Sequence, residues 1–369
     1  MRKVHISFVR PGMTIGYAVF NSRGEMLINR GAVLTARFIE RLVRQGIPAL
    51  YIVDDFLPDV EFEDVVNNQT RVKAINRVRN LFNRTVNSKI IPDETNCLYD
   101  SIDEIKNKLL NNQSLMINLV DIRSMDDYLF GHCVNVCVLS LAAAIHLGFN
   151  NASISILGMG ALLHDVGKVM VSKDILNKPG KLTTDEYEVI KKHPSYGYEI
   201  IMNNLPHIRK LAAIIALQHH ERLCGDGYPK GLTGDKIHMF SQIVGMADVY
   251  DAMTADRVYR RGYPSNEVYE MLSASGNYHF DYELVKAFLY NIAPYPVGSI
   301  VRLSSNEIGL VVKNQKKHPF HPQVKVMLDS AGKFLEAPFE IDLSKNDELF
   351  IAKVLDHAEI EELRVKAGK

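Results

Sequence analysis

His164-Asp165 closes the apolar run 154–163 and is followed at once by Val166-Gly167-Lys168, so two metal-capable side chains and a cation meet where a helix is expected to end. The dipeptide means little alone; its setting gives it weight. His132, His193 before Pro194, the adjacent pair His219-His220, and Asp248 stand in the same helical stretch. Imidazoles and carboxylates are the donors that Fe, Mn, Ni and Zn accept, and one carboxylate can bridge two ions. These seven candidate ligands exceed the needs of one ion, and they suit two if Asp165 bridges.

The elements that must position these groups follow from periodicity. From residue 97 to 295 the apolar spacing is helical nearly throughout, with stripes such as Ile105, Leu109, Leu110 and then Leu139, Ala142, Ala143. This predicts an all-helical central domain. Ahead of it, residues 61–96 read as a connecting amphipathic helix, with Val72, Ile75, Val78, Leu81 and Phe82 between polar residues. Residues 1–60 alternate strand-like pieces with turns at Pro11-Gly12 and Arg23-Gly24, and contain a helix that Thr35 can cap, with Phe38, Ile39, Leu42 and Val43 as its stripe. That is a small α+β module. After Pro294 and Pro296 the period changes to two, so residues 296–369 are expected to form a β-rich domain. The fold class is mainly α.

Composition sets the outer limits. A chain of 369 residues needs more than one core, and 47% hydrophobic with 23% charged residues fits a soluble globular protein. Lys plus Arg and Asp plus Glu both number 43, so no net field draws in a nucleic-acid polymer. The most apolar run, 133–149, is broken by Asn135, Ser140 and His146, and no signal-peptide pattern opens the chain. A cytoplasmic protein without a membrane span is expected. Cys97, Cys133, Cys137 and Cys224 contain no CxxC pair, and Cys133 and Cys137, four apart on a helix, read as buried small apolar residues rather than a redox pair.

Six linked motifs between His132 and Pro264 resemble the HD-GYP phosphodiesterases, a subgroup of the HD superfamily of metal phosphohydrolases. They are His132; His164-Asp165-Val166-Gly167-Lys168; His193-Pro194 with Gly197; His219-His220-Glu221-Arg222; Gly225-Asp226-Gly227-Tyr228-Pro229; and the run Ala247-Asp248 through Thr254 leading to Arg257 and Arg260. The resemblance implies two divalent ions, Fe or Mn, one held by His132, His164, Asp165 and Asp248, the other by Asp165, His193, His219 and His220. Two ions about 3.5 to 4 Å apart lower the pKa of a bridging water and set hydroxide in line with a phosphorus. Lys168, Arg257 and Arg260 suit the charge on phosphate oxygens, a guanidinium through paired hydrogen bonds. Tyr228 and its glycine-rich loop are expected to share in positioning substrate.

The substrate that the resemblance implies is cyclic di-GMP, opened to linear pGpG and onward to GMP. Another cyclic dinucleotide or phosphate ester is the alternative, as is a slow-turnover sensor of nucleotide or redox state. Diguanylate cyclases of the GGDEF kind are partners by family analogy, and a homodimer is compatible with it. Asp126 either contacts a guanine edge or caps the first ligand helix, and Glu221 either orients a ligating histidine or pairs with a surface cation. His279 and His357 match no motif and are expected at the surface. Two departures stand out: Leu223-Cys224 occupies a place where relatives have an aromatic residue and Asp, and Tyr128 stands where relatives with a third metal carry a carboxylate. A third ion is not expected.

Overall fold

The computed structural model describes residues 1–20, 25–53, 65–85, 92–112, 115–117, 128–176, 178, 180–256 and 261–366. β1 (Arg2–His5), β2 (Thr14–Ile15), β3 (Val19–Phe20), β4 (Met26–Ile28), α1 (Ala36–Arg44) and β5 (Ala49–Val53) build an α+β module. Its antiparallel sheet runs β1-β5-β2, with β3 and β4 paired separately. The Thr35 hydroxyl accepts from the Phe38 amide at 3.3 Å and caps α1. Leu42 is buried in the module's core with Ile39 packed against it, whereas Phe38 and Val43 are exposed, so the expected four-residue stripe is narrower in fact. The Arg23-Gly24 turn lies outside the described residues.

The central helices are α2 (Asn68–Thr85), α3 (Pro92–Asn111), α4 (Tyr128–His146), α5 (Asn151–Leu163), α6 (Lys173–Leu176), α7 (Thr184–Ile190), α8 (His193–Asn204), α9 (Lys210–Gln218), α10 (Met239–Thr254), α11 (Ser265–Ala274) and α12 (Tyr282–Leu289). α2 packs on the helical domain. Its Ala74, Val78, Leu81 and Phe82 are buried in one continuous core with residues of α3, α4 and α5, and Phe82 meets Phe130 edge to face at 5.7 Å. An amphipathic stripe needs an apolar partner, and α3 and α4 provide it. The one buried cation of α2, Arg71, is satisfied by the Val66 carbonyl at 3.1 Å and the Asn135 side-chain oxygen at 2.6 Å.

α4 is apolar on nearly every face, and residues from Gly131 to Ala144 are all buried. Among the described residues it is the one helix long and apolar enough, by length and composition, to cross a membrane. Within the protein 78% of that window is buried, as befits a central core helix. Cys133 and Cys137 are both buried, and burial pushes the Cys137 thiol up, as suits packed apolar residues.

The last domain is a five-stranded antiparallel sheet of β6 (Ile300–Leu303), β7 (Ile308–Lys313), β8 (Gln323–Leu328), β9 (Phe334–Asp342) and β10 (Ile351–Val354), in the order β10-β6-β7-β8-β9. A helix that the period-two pattern did not announce, α13 (His357–Lys366), packs Ile360 and Leu363 against Ile300 and Leu328. The other sheet face buries Val301, Val324 and Val326. α13 also reaches the first module. Arg2 bonds Glu361 at 2.9 Å and His357 at 2.7 Å, and the His357 ring lies 4.1 Å from Phe8. His357 is therefore half-buried in a seam rather than a surface residue, and burial beside Arg2 lowers its pKa to about 4.

Candidate metal centre

Helix ends deliver the central groups. His164 caps the C-terminus of α5, Asp165 follows it, His193 opens α8, and His219 and His220 end α9. His132 and Asp248 project from the interiors of α4 and α10. Gly167 makes the approach of α8 feasible, because a Cβ there would lie 1.9 Å from the His193 carbonyl oxygen and 2.4 Å from the Gly197 nitrogen. All seven expected ligands converge. His132, His164 and Asp165 form one cluster and His193, His219 and His220 another, the candidate ligand atoms of each lying within 4.8 Å of one another.

The hydrogen bonds fix the tautomers. Nδ1 of His164, His193 and His219 lies 2.8, 2.7 and 2.8 Å from the carbonyls of Ala161, Ile190 and Ala216. A carbonyl only accepts, so each Nδ1 carries the proton and each Nε2 presents a lone pair inward. Nε2 of His193 and His219 are 3.3 Å apart. Two lone pairs at that separation repel unless a proton or cation lies between them. Burial, reinforced by neighbouring imidazoles, holds the His219 pKa well below the histidine range. Burial does the same for His220, although Asp248 opposes it. Neutral imidazole is the form that ligates a metal.

Two carboxylates straddle the clusters. Asp165 Oδ1 lies 3.3 Å from His193 Nε2, while Oδ2 lies 3.5 Å from His164 Nε2 and 3.8 Å from His132 Nε2. Asp248 Oδ1 is 2.9 Å from His132 Nε2 and its Oδ2 is 3.7 Å from His220 Nδ1, so Asp248 spans the same gap. Lys168 donates to Asp165 Oδ2 at 2.5 Å. Burial alone would raise the Asp165 pKa, but Lys168 and the histidines outweigh it and keep the carboxyl well below its usual range. His164 Nε2 and Asp165 Oδ1 are fully buried and make no hydrogen bond of good geometry. Buried polar atoms of this kind, set among lone-pair donors, fit a cation.

Asp251 was not singled out from the sequence. It stands one turn after Asp248 on α10, is buried, and reaches His132 Nδ1 at 2.6 Å and the Asn135 amide at 2.7 Å. That spacing, Asp248 to Asp251 on one helix face, was the available signal. Burial disfavours the His132 imidazolium, yet Asp248 and Asp251 outweigh it and hold the ring's pKa up at about 10. Among the described residues, the hydrogen bonds of the Glu221 carboxylate go to the backbone. Its two oxygens accept from the backbone amides of Lys230 and Leu232, both at 2.8 Å, so the carboxylate clamps the loop after His220. That loop brings the Tyr228 ring onto His220, with centroids 4.5 Å apart. Asp126, Arg257 and Arg260 lie outside the described residues.

Residues 107–284 match a family model described as an HD domain, and residues 300–363 match a KOW domain associated with HD domain. A cyclic di-GMP phosphodiesterase of Pseudomonas aeruginosa is 35% identical over 246 residues, covering 67% of this chain and 59% of that protein. The cyclic di-GMP phosphodiesterase PdeB of Borreliella burgdorferi is 30% identical over 237 residues, covering 64% and 62%. A 3'3'-cGAMP-specific phosphodiesterase of Vibrio cholerae is 35% identical over 175 residues, covering 47% and 33%. The chain thus spans less than two thirds of the length of these relatives. In fold it is similar to an HDG"Y"P protein of Bdellovibrio bacteriovorus, with a TM-score of 0.53 at 21% identity, over 78% of this chain and 97% of that one. With its histidine and aspartate motifs gathered at one buried centre, the chain carries an HD domain followed by an HD-associated KOW domain, and its fold is similar to that of an HD-GYP-type protein.

Proposed function

We propose that this chain is a metal-dependent phosphodiesterase that opens cyclic di-GMP to linear pGpG. The observation that carries the reading is Asp165, fully buried, with one oxygen turned to His193 and the other to His164 and His132. A carboxylate so placed suits two cations side by side, and the naming of the Pseudomonas and Borreliella relatives supports the substrate. Two divalent cations, Fe or Mn, supply Lewis acidity and a nucleophile active at neutral pH when bound. His132, His164, Asp165 and Asp248 would hold one and Asp165, His193, His219 and His220 the other.

The chain's own groups do the rest. Lys168 stays charged, because Asp165 and Asp248 outweigh the burial that opposes its ammonium, and it sets a positive charge beside the reacting phosphate. Tyr228 offers a ring face and a phenol next to His220, while Arg257 and Arg260 bind phosphate oxygens and Asp126 a guanine edge. Tyr128, one turn before His132 with its ring parallel to the imidazole at 6.0 Å, supports two ions rather than three, since a phenol is a poorer ligand than a carboxylate.

The test is to purify the protein without oxygen, load it with Fe(II) or Mn(II), and follow cyclic di-GMP, 3'3'-cGAMP and a simple phosphodiester by chromatography. Formation of pGpG fastest from cyclic di-GMP, with GMP following or not, supports the proposal. Tight binding of cyclic di-GMP without turnover would replace the enzyme with a sensor, and faster use of 3'3'-cGAMP would reassign the substrate.

A further inference from the structure

The departure at Leu223-Cys224 leaves a second constellation that the histidine centre does not use. Cys224 and Asp226 belong to the loop between His220 and Tyr228, and His279 to the turn between α11 and α12. Cys224 Sγ lies 2.9 Å from Asp226 Oδ1 and His279 Nε2 lies 3.7 Å from Asp226 Oδ2. The ligating atoms of all three fall within 4.8 Å of one another. Backbone bonds hold the two segments together independently of these side chains. The Leu223 amide donates to the His279 carbonyl at 3.0 Å and joins the two segments, while the Gly225 amide donates to the Arg222 carbonyl at 2.8 Å and closes a turn within the loop. The Arg222 guanidinium also lies over the Phe280 ring at 4.7 Å.

We infer that Cys224, Asp226 and His279 form a separate binding site for one thiophilic divalent cation, of which Zn2+ is the type. A tetrahedral Zn2+ with ordinary bond lengths spaces its sulfur, nitrogen and oxygen ligands about 3.3 to 3.6 Å apart. The observed separations bracket that range, so rotation of exposed side chains suffices and no backbone has to move. Sulfur, imidazole and carboxylate together favour Zn2+ over Mg2+ or Ca2+, and the fourth position stays open to water. Binding displaces the thiol proton to solvent, so affinity rises with pH. Occupancy pins the loop that carries Tyr228 to the turn before α12.

Co(II) added to the intact protein reads the site directly, because only a sulfur ligand gives a thiolate-to-metal charge-transfer band and none of the seven residues at the histidine centre supplies sulfur. One equivalent of that band is expected in the wild type and in Cys97→Ser, bleached by Zn2+. It should vanish in Cys224→Ser and require about tenfold or more Co(II) in His279→Gln and Asp226→Asn. No band at saturating Co(II), or a band that survives in Cys224→Ser, overturns the inference. Because Cys224 is exposed, an alkylation assay in the Cys97→Ser background gives a second reading: Zn2+ is expected to protect Cys224, and unchanged labelling would also overturn the site.

Discussion

At the scale of single residues, three histidines solve one problem alike: each donates Nδ1–H to a carbonyl three residues back and frees Nε2 for a cation. His132 differs, since its Nδ1 is held by Asp251, a carboxylate that accepts the Nδ1 hydrogen bond, makes the ring more basic and fixes its orientation. Removing such a partner ordinarily weakens metal binding by about 10- to 100-fold. Asp251→Ala is therefore expected to raise the half-saturating Mn(II) concentration by that factor while the far-ultraviolet circular dichroism stays native; unchanged affinity would reduce Asp251 to a packing role. The candidate ligands that gather at this centre were legible in the sequence because imidazole and carboxylate chemistry is carried by residue type. Asp251 and the true partners of Glu221 were not, because both depend on what the chain folds against them: an imidazole from another helix in one case, two loop amides in the other.

At the scale of elements, α2 shows where periodicity stops being informative. The stripe Ala74, Val78, Leu81, Phe82 is what a connecting helix and a core helix share, and only the partner distinguishes them. Here the partner is the core that also positions α4 and α5, and with them His132 and His164. Phe82 is fully buried, so Phe82→Ala should cost about 3 to 5 kcal/mol in a urea titration of the central domain. A loss under 1 kcal/mol would return α2 to a linker. The same limit hid α13, whose short polar run follows a strand pattern and finds apolar surface for Ile360 and Leu363 only on the finished sheet.

At the scale of the whole molecule, the first module meets the helical domain around Asp256 and Arg261. Lys3 bonds Asp256 at 2.7 Å, the Gly262 amide donates to the same carboxylate at 3.0 Å, and Arg261 lies over the Phe8 ring at 4.1 Å. Burial would raise the Asp256 pKa, but Lys3 outweighs it and the folded value lies below the ordinary one. The sign follows from linkage: this stabilisation is fully present above the unfolded pKa, about 3.9, and is lost as pH falls through the lower folded value. The stability gap between the wild type and Asp256→Asn is expected to hold constant from pH 7 to about 5 and to narrow below about 4. A gap independent of pH down to about 2 would mean that the carboxylate's charge contributes nothing at this seam.

If Asp165 joins the two clusters through a pair of cations, metal content records it. Elemental analysis of the Mn(II)- or Fe(II)-loaded wild type, with anomalous scattering to locate the ions, should approach about two ions per chain, one beside His132 and His164 and one beside His193, His219 and His220. In Asp165→Ala the protein should stay folded, bind fewer than two ions and lose hydrolysis of cyclic di-GMP. Full loading at both positions with near-normal turnover in Asp165→Ala would rule out a bridging role for this carboxylate.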